Sequence, residues 1–123
     1  MLSTLHAPEV MATLAAIRDN ARTEDAAAKL RVHLRTQQLG RRLSTPETYE
    51  LYGEGPALAI TPEIGELLYL VTLARRPTRV VEFGSSHGSS TIYLAAALRD
   101  AGSGALLTTE ILPGKCAATT RNL

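Results

Sequence analysis

The stretch Val80-Val81-Glu82-Phe83-Gly84-Ser85-Ser86-His87-Gly88-Ser89-Ser90 decides the fold. It opens with a short run of strand formers, passes through a burst of small residues, and leads into the apolar segment 91–98. That order predicts a buried parallel strand, a tight turn and a crossover helix. In open α/β sheets a ligand sits outside the carboxyl ends of the strands, and this turn lies at such an end. Gly84 and Gly88 supply backbone freedom and leave no Cβ in the way. Ser85, Ser86, Ser89 and Ser90 offer small donors and acceptors beside the free N–H groups of a helix start. Glu82 stands just before the turn and is expected to aim its carboxylate at the occupant. An anionic phosphate is repelled there, whereas a sulfonium or an amino group is not.

Downstream, the loop 101–104 precedes a second strand at 105–109, which ends in Glu110, and Pro113 opens a helix running to Arg121. Upstream, Thr61 and Pro62 have the chemistry of an N-cap and a first helical residue. The helix they start carries Ile64, Leu67, Leu68 and Val71 on one face, widened by Leu70 and Leu73, and is expected to be buried on more than one side. Arg75-Arg76-Pro77 closes it. Further back, Ser44-Thr45-Pro46-Glu47 has capping-box spacing and predicts a short helix to Tyr52, ended by Gly53-Glu54-Gly55-Pro56. Helices are expected at 8–20, with Val10, Leu14, Ile17 and Ala21 inward, and at 24–39, with Ala27, Leu30 and Leu34 inward.

Length and composition exclude several classes. The 123 residues suit one globular unit, and charged residues at 20% with a net charge of +1 give no general affinity for nucleic acid or membrane. The basic run Lys29, Arg31, Arg35, Arg41 and Arg42 reads as a solvated helix face, with Glu24 and Asp25 nearby. Met1-Leu2-Ser3-Thr4-Leu5-His6 lacks the basic and apolar regions of a leader, and no apolar run approaches the roughly 18 residues of a membrane span. The single Cys116 excludes an internal disulfide, fits a cytoplasmic protein, and reads as a small half-buried residue.

The element order, helices followed by β-α-β-α, predicts an α/β fold: a Rossmann-like doubly wound domain that stops after its second strand, with a helical extension in front. Residues 1–56 form the helical segment and 57–123 the first half of the ligand-binding domain. Two parallel strands are too few for independent stability, so a third is expected from further chain or from a partner.

The constellation with most chemistry is Glu82, Gly84, Gly88 and Glu110. An acid at the tip of the second strand, beside the same crevice, can accept both hydroxyls of a ribose, which points to an adenosine-containing ligand. Competing motifs fail on spacing. G-x-G-x-x-G is not met, which disfavours a dinucleotide oxidoreductase, and no P-loop is present. Gly84-Ser85-Ser86-His87-Gly88 matches the letters of a nucleophile elbow, but no histidine follows His87 and the later acids are only Asp100 and Glu110, so no triad can form. His87 itself reads as packing on the ligand or facing solvent. His6 and His33 give no metal-ligand spacing. Tyr49, Tyr52, Tyr69 and Tyr93 read as packing residues.

Over 57–123 these residues resemble the class I S-adenosylmethionine-dependent methyltransferases, in particular the small-molecule O-methyltransferases related to catechol O-methyltransferase. Val80 to Thr91 is similar to that family's first motif, Thr109-Glu110-Ile111-Leu112-Pro113 to its second, and Ala59-Ile60-Thr61-Pro62-Glu63-Ile64-Gly65 to the segment before the first strand. The resemblance implies S-adenosylmethionine as cofactor and a small-molecule methyl acceptor as partner. It implies that Glu82 and the backbone of Gly84, Ser85 and Ser86 lie near the methionine portion, that His87 and Gly88 belong to the same cofactor-binding turn, and that Ser90 bonds the carboxylate or amino group of the methionine. Ile60 and Thr61 would touch the methionine end, Glu110 the ribose and Ile111 the adenine. Ser89 stands where a tyrosine is often found. The family's catalytic and metal-binding residues have no counterpart in this stretch, so neither a base nor a divalent metal is assigned. The alternative is a non-catalytic module that associates through its open strand edges, as a homo-oligomer or with another subunit.

Overall fold

A computed structural model describes residues 3–123, so Met1 and Leu2 of the N-terminal stretch lie outside the described residues. The elements are a 3-10 turn at Thr4–His6, α1 (Pro8–Asn20), a π-helical turn (Ala21–Asp25), α2 (Ala26–Leu39), α3 (Thr45–Tyr52), α4 (Pro62–Arg75), β1 (Arg79–Phe83), α5 (Ser89–Ala101), β2 (Ala105–Thr109) and α6 (Pro113–Asn122). The fold is mixed α/β. Its sheet has two strands, paired in parallel with Arg79 opposite Ala105 and Phe83 opposite Thr109. α5 is the crossover between them.

Local sequence accounts for most boundaries. Ser44 accepts from the Glu47 N–H while Glu47 bonds back to the Ser44 N–H, completing the capping box. Thr61 caps α4 through the Ile64 N–H. Gly102, in a left-handed conformation, ends α5 two residues beyond the expected Arg99. Two of the five basic residues after α1 do more than face solvent. Arg41 forms a two-pronged pair with Glu47, at 2.7 and 3.0 Å, and Arg31 donates to the Leu51 carbonyl, so both hold α3 against α2.

One core joins the N-terminal helices to the α/β part. Leu5, Leu14 and Ile17 are buried in the same cluster as Ala57, Tyr69, Ile92, Tyr93, Ala96 and Ala97. The clamp at its edge is Asp100. Its carboxylate accepts from the Thr4 backbone N–H at 2.9 Å, from the Thr4 hydroxyl and from the Tyr69 hydroxyl at 2.7 Å. Burial raises the Asp100 pKa, but these donors outweigh burial and the net direction is downward. Asn20 and Asp25 accept the N–H groups of Ala57 and Leu58, tying α1 and the π turn to the segment that leads into α4.

Four sequence expectations are corrected. The helix expected at 24–39 is continuous with α1 through the π turn, and it inherits the inward stripe of α1. Its inward positions are Ala28, with Val32 and Thr36 half-buried, while Leu30 and Leu34 are exposed. The stripe Ile64, Leu67, Leu70 and Val71 on α4 is exposed, because α4 meets α5 through the opposite face of Gly65, Tyr69 and Thr72. A Cβ on Gly65 would come within 2.2 Å of the Tyr93 ring, so this close approach depends on the glycine. β1 is covered on one face only: Val80 and Glu82 are half-buried, whereas Arg79, Val81 and Phe83 are exposed. Cys116 is exposed, since α6 turns Lys115, Ala118 and Thr119 inward instead.

Gly65→Ala is expected to destabilise the protein by about 1–3 kcal/mol, the cost of overpacking exceeding the helix-propensity gain. Urea denaturation with an unchanged slope measures it, and a cost below about 0.5 kcal/mol would overturn the close α4–α5 contact.

Candidate functional site at the strand tips

The turn 84–88 is built from β2. The N–H groups of Gly84 and Ser85 both donate to the Thr109 carbonyl, each at 2.9 Å, and the Gly88 N–H closes on the Ser85 carbonyl at 2.8 Å. Gly84 has φ +84°, and nothing lies within 4 Å of the place its Cβ would occupy, so the turn is open above it. Gly88, at φ +90°, starts α5. Ser86 lies between them at φ +50°, a left-handed conformation that costs a non-glycine residue roughly 1–2 kcal/mol.

The segment after β2 holds Ser86 in that state. Its N–H donates to Glu110 Oε2 at 2.8 Å, its carbonyl accepts from the Thr119 hydroxyl at 2.6 Å, and its hydroxyl accepts from Lys115 Nζ at 3.1 Å. Ser85 is buried, with its hydroxyl on Thr119, and the His87 carbonyl accepts from Asn122. α6 is therefore fastened to the back of the turn.

Glu110 lies beside the turn as a reader of the sequence would require, but most of its carboxylate is in use. Oε1 accepts from the N–H groups of Ile111 and Leu112, at 2.8 and 3.0 Å, and Oε2 from Ser86. Three of about four acceptor positions are filled, which leaves one on Oε2. One ribose hydroxyl can bond there without disturbing the turn; the two expected from sequence cannot. Burial raises the Glu110 pKa, but the backbone N–H groups of Leu112, Ser86 and Ile111, with Lys115 nearby, outweigh it and lower it overall.

Glu82 corrects the expectation of a carboxylate aimed into the turn. It faces α5 and β2, where Oε1 accepts from Ser90 at 2.5 Å and Oε2 from Thr91 and Thr108, each at 2.6 Å. Its side of the strand is the one covered by α5, so the nearest donors are hydroxyls of that helix. Ser90 is thereby committed to Glu82. Among the described residues no lysine, arginine or histidine forms an ion pair with Glu82 or Glu110, although Lys115 lies close enough to act on Glu110 through its charge.

His87 neither faces solvent freely nor lines the open side. Its Nε2–H donates to the Glu54 carbonyl at 2.9 Å. Glu54 also accepts the Gly114 N–H at 2.9 Å through its carboxylate, so the loop before α4 is clipped to the start of α6. Ile60 packs on the core cluster and Thr61 caps α4; among the described residues neither is hydrogen-bonded to the turn. Ile111 is 70% exposed at the rim. The structure thus brings together Glu82, Gly84, Ser85, Ser86, His87, Gly88, Ser90 and Glu110, with Ile60 and Thr61 on adjoining elements.

Sequence reasoning missed Thr91, Thr108, Lys115 and Thr119. The hydroxyls on alternate strand and helix positions look like ordinary polar residues. Lys115 is the largest surprise: it is buried, its pKa is lowered by that burial, and Glu110, Asp25 and Glu54 oppose the shift. Nothing in the string Pro113-Gly114-Lys115-Cys116 distinguishes it from a solvated helix lysine.

A cavity of about 320 Å³ lies between α1, α5 and α6, lined in part by Val10, Ile92, Arg99 and Arg121, and contains none of the expected site residues. Among the described residues no cluster of three or more His, Cys, Asp or Glu side chains could hold a metal ion, and no helix is long and apolar enough to cross a membrane. No known family model matches the chain, and no curated protein matches it either.

Glu110→Gln is expected to cost about 1–2 kcal/mol at neutral pH, because an amide cannot accept all three N–H groups. A lowered folded pKa means that this contribution is present above the ordinary value of 4.5 and is lost as pH falls through the folded value. The gap between wild type and variant should therefore shrink as pH drops below about 4.5; a gap independent of pH from 7 to 3 would overturn the role of the charged carboxylate.

Proposed function

We propose that this chain is the cofactor-binding half of a Rossmann-like S-adenosylmethionine-dependent O-methyltransferase acting on a small-molecule acceptor. The observation that carries the reading is the placement of Glu110 against the open glycine turn at the tips of two adjacent parallel strands, with Oε2 hydrogen-bonded to the Ser86 N–H at 2.8 Å.

The residues fit the group on three counts. Gly84 leaves open space at the turn, which a side chain would take. Glu110 retains one acceptor position for a ribose hydroxyl, and Ile111, beside it, presents an exposed apolar surface for a purine. The carboxylates of Glu82 and Glu110, offset in part by Lys115 beside Glu110, favour a ligand with positive charge over a phosphate ester. Glu82 acts here at a distance, through its field, because its oxygens are bonded to Ser90, Thr91 and Thr108.

The cofactor supplies a methyl group on a cationic sulfur, which an acceptor oxygen can attack in line. What the chain's own residues contribute is orientation: the turn is held by Thr109, Glu110, Lys115 and Thr119 before any ligand arrives, so little ordering is left to pay on binding. Positioning of two reactants can be worth up to about 7 kcal/mol or more of a barrier. No residue described here is placed to take the acceptor's proton.

Calorimetric titration with S-adenosylhomocysteine and its 2′-deoxy and 3′-deoxy analogues tests the reading. Wild type is expected to lose about tenfold or more in affinity for one of the two analogues, the value of one hydrogen bond to a carboxylate, and to tolerate the other. Glu110→Gln should bind all three with nearly equal affinity. No heat with any of them at millimolar ligand, or equal losses in both proteins, would overturn the proposal.

A further inference from the structure

Ser86 is the central residue of Gly84-Ser85-Ser86-His87-Gly88, between β1 and α5, and it holds a φ of +50°. A serine on a strained strand-to-helix turn is how a nucleophile elbow presents its hydroxyl. In the sequence this motif lacks a base, because no histidine follows His87. The fold supplies one of another kind: Lys115 Nζ, carried by α6, lies 3.1 Å from Ser86 Oγ. Serine–lysine pairs do the work of a triad on unrelated folds.

The surroundings of Lys115 suit a base. The residue is 3% exposed, and Ser86 Oγ is the only hydrogen-bond partner of its Nζ among the described residues. No carboxylate forms an ion pair with it. A protonated Nζ would leave N–H groups without an acceptor in a buried place, so the site favours the neutral amine. Burial lowers the Lys115 pKa; the charges of Glu110, Asp25 and Glu54 act against burial and leave the net direction downward. The neutral fraction, enlarged in this way, is the reactive one. A hydroxyl proton rotates to suit its partner, so the same contact serves with Ser86 Oγ donating to Nζ.

The backbone of Ser86 is held without the lysine. Its N–H is bonded to Glu110 Oε2 at 2.8 Å and its carbonyl to the Thr119 hydroxyl at 2.6 Å. The hydroxyl is the group left over for chemistry. The following N–H, that of His87, has no acceptor among the described residues, and the positive end of α5 begins two residues further on. An elbow takes its first oxyanion donor from that N–H. Ser86 is half-buried rather than sealed, and the turn is open above Gly84, which leaves room for a small acyl group.

We propose that Ser86 is a nucleophile toward small carboxylic esters and that Lys115 is its general base. Ser86 Oγ bonds to the acyl carbon while its proton passes to Lys115 Nζ, and the His87 N–H receives the oxyanion. The bond from the acyl carbon to the leaving alkoxide then breaks, and Lys115 returns the proton to that oxygen. Water repeats the sequence on the acyl-serine and releases the carboxylic acid. This is a further activity of the turn and does not depend on the methyl-donor reading.

Labelling of the full chain with an alkyl fluorophosphonate, with no adenosyl compound present, tests it. The attacking oxygen displaces fluoride and keeps the phosphonyl group, which mass spectrometry locates. Wild type is expected to take the label at Ser86, at a rate that rises with pH and levels off as Lys115 loses its proton. Turnover of p-nitrophenyl acetate should fall in step with the label. Lys115→Gln still hydrogen-bonds the serine but takes no proton, and should label about 100-fold more slowly. Lys115→Met fills the same space and should behave alike. Wild type unfolded in urea should leave Ser86 unlabelled, which needs no variant to fold. No label at Ser86 in the folded wild type, the same rate in urea, an undiminished rate in Lys115→Gln, or ester turnover that survives full labelling would each overturn the proposal.

Discussion

Ser86 occupies a left-handed backbone conformation that a serine leaves unless it is held, and everything at the strand tips follows from how it is held. Its N–H, carbonyl and hydroxyl go to Glu110, Thr119 and Lys115, all supplied by the chain after β2. The turn after one strand is thus shaped by the loop and helix after its neighbour. This couples the site to the sheet: β1 and β2 must be in register before Thr109 and Glu110 stand where the turn needs them.

The same economy explains the two acidic residues. Glu82 and Glu110 are both half-buried, and a buried carboxylate is costly unless its oxygens are bonded. Glu82 collects three hydroxyls and Glu110 three backbone N–H groups. None of these donors carries a full charge; the positive charge near Glu110 comes instead from Lys115.

The N-terminal helices serve the site from behind. Their Leu14 and Ile17 complete the core under α5, Asp100 fastens Thr4 and Tyr69 at its rim, and Asn20 and Asp25 hold the segment 57–58. Glu54 then links that segment to α6 through Gly114, and through its carbonyl to His87. The helical segment and the α/β part are joined by packing and by side-chain-to-backbone bonds.

Local chemistry was legible in the sequence. The capping box at Ser44, the Thr61-Pro62 helix start, both strands and the glycines at 84 and 88 are dictated by residues within a few positions of each other, and each is found where the string of letters puts it. The tertiary structure alone decided which faces turn inward and where the carboxylates point. Ala28 rather than Leu30 is buried because α2 continues α1; the largest apolar residues of α4 are exposed because Gly65 lets the other side approach Tyr93. Lys115 and Thr119 belong to the site because α6 folds back onto a turn some thirty residues earlier. Such choices depend on contacts between residues far apart in the chain, and a periodicity read along one helix carries no information about what will be packed against it.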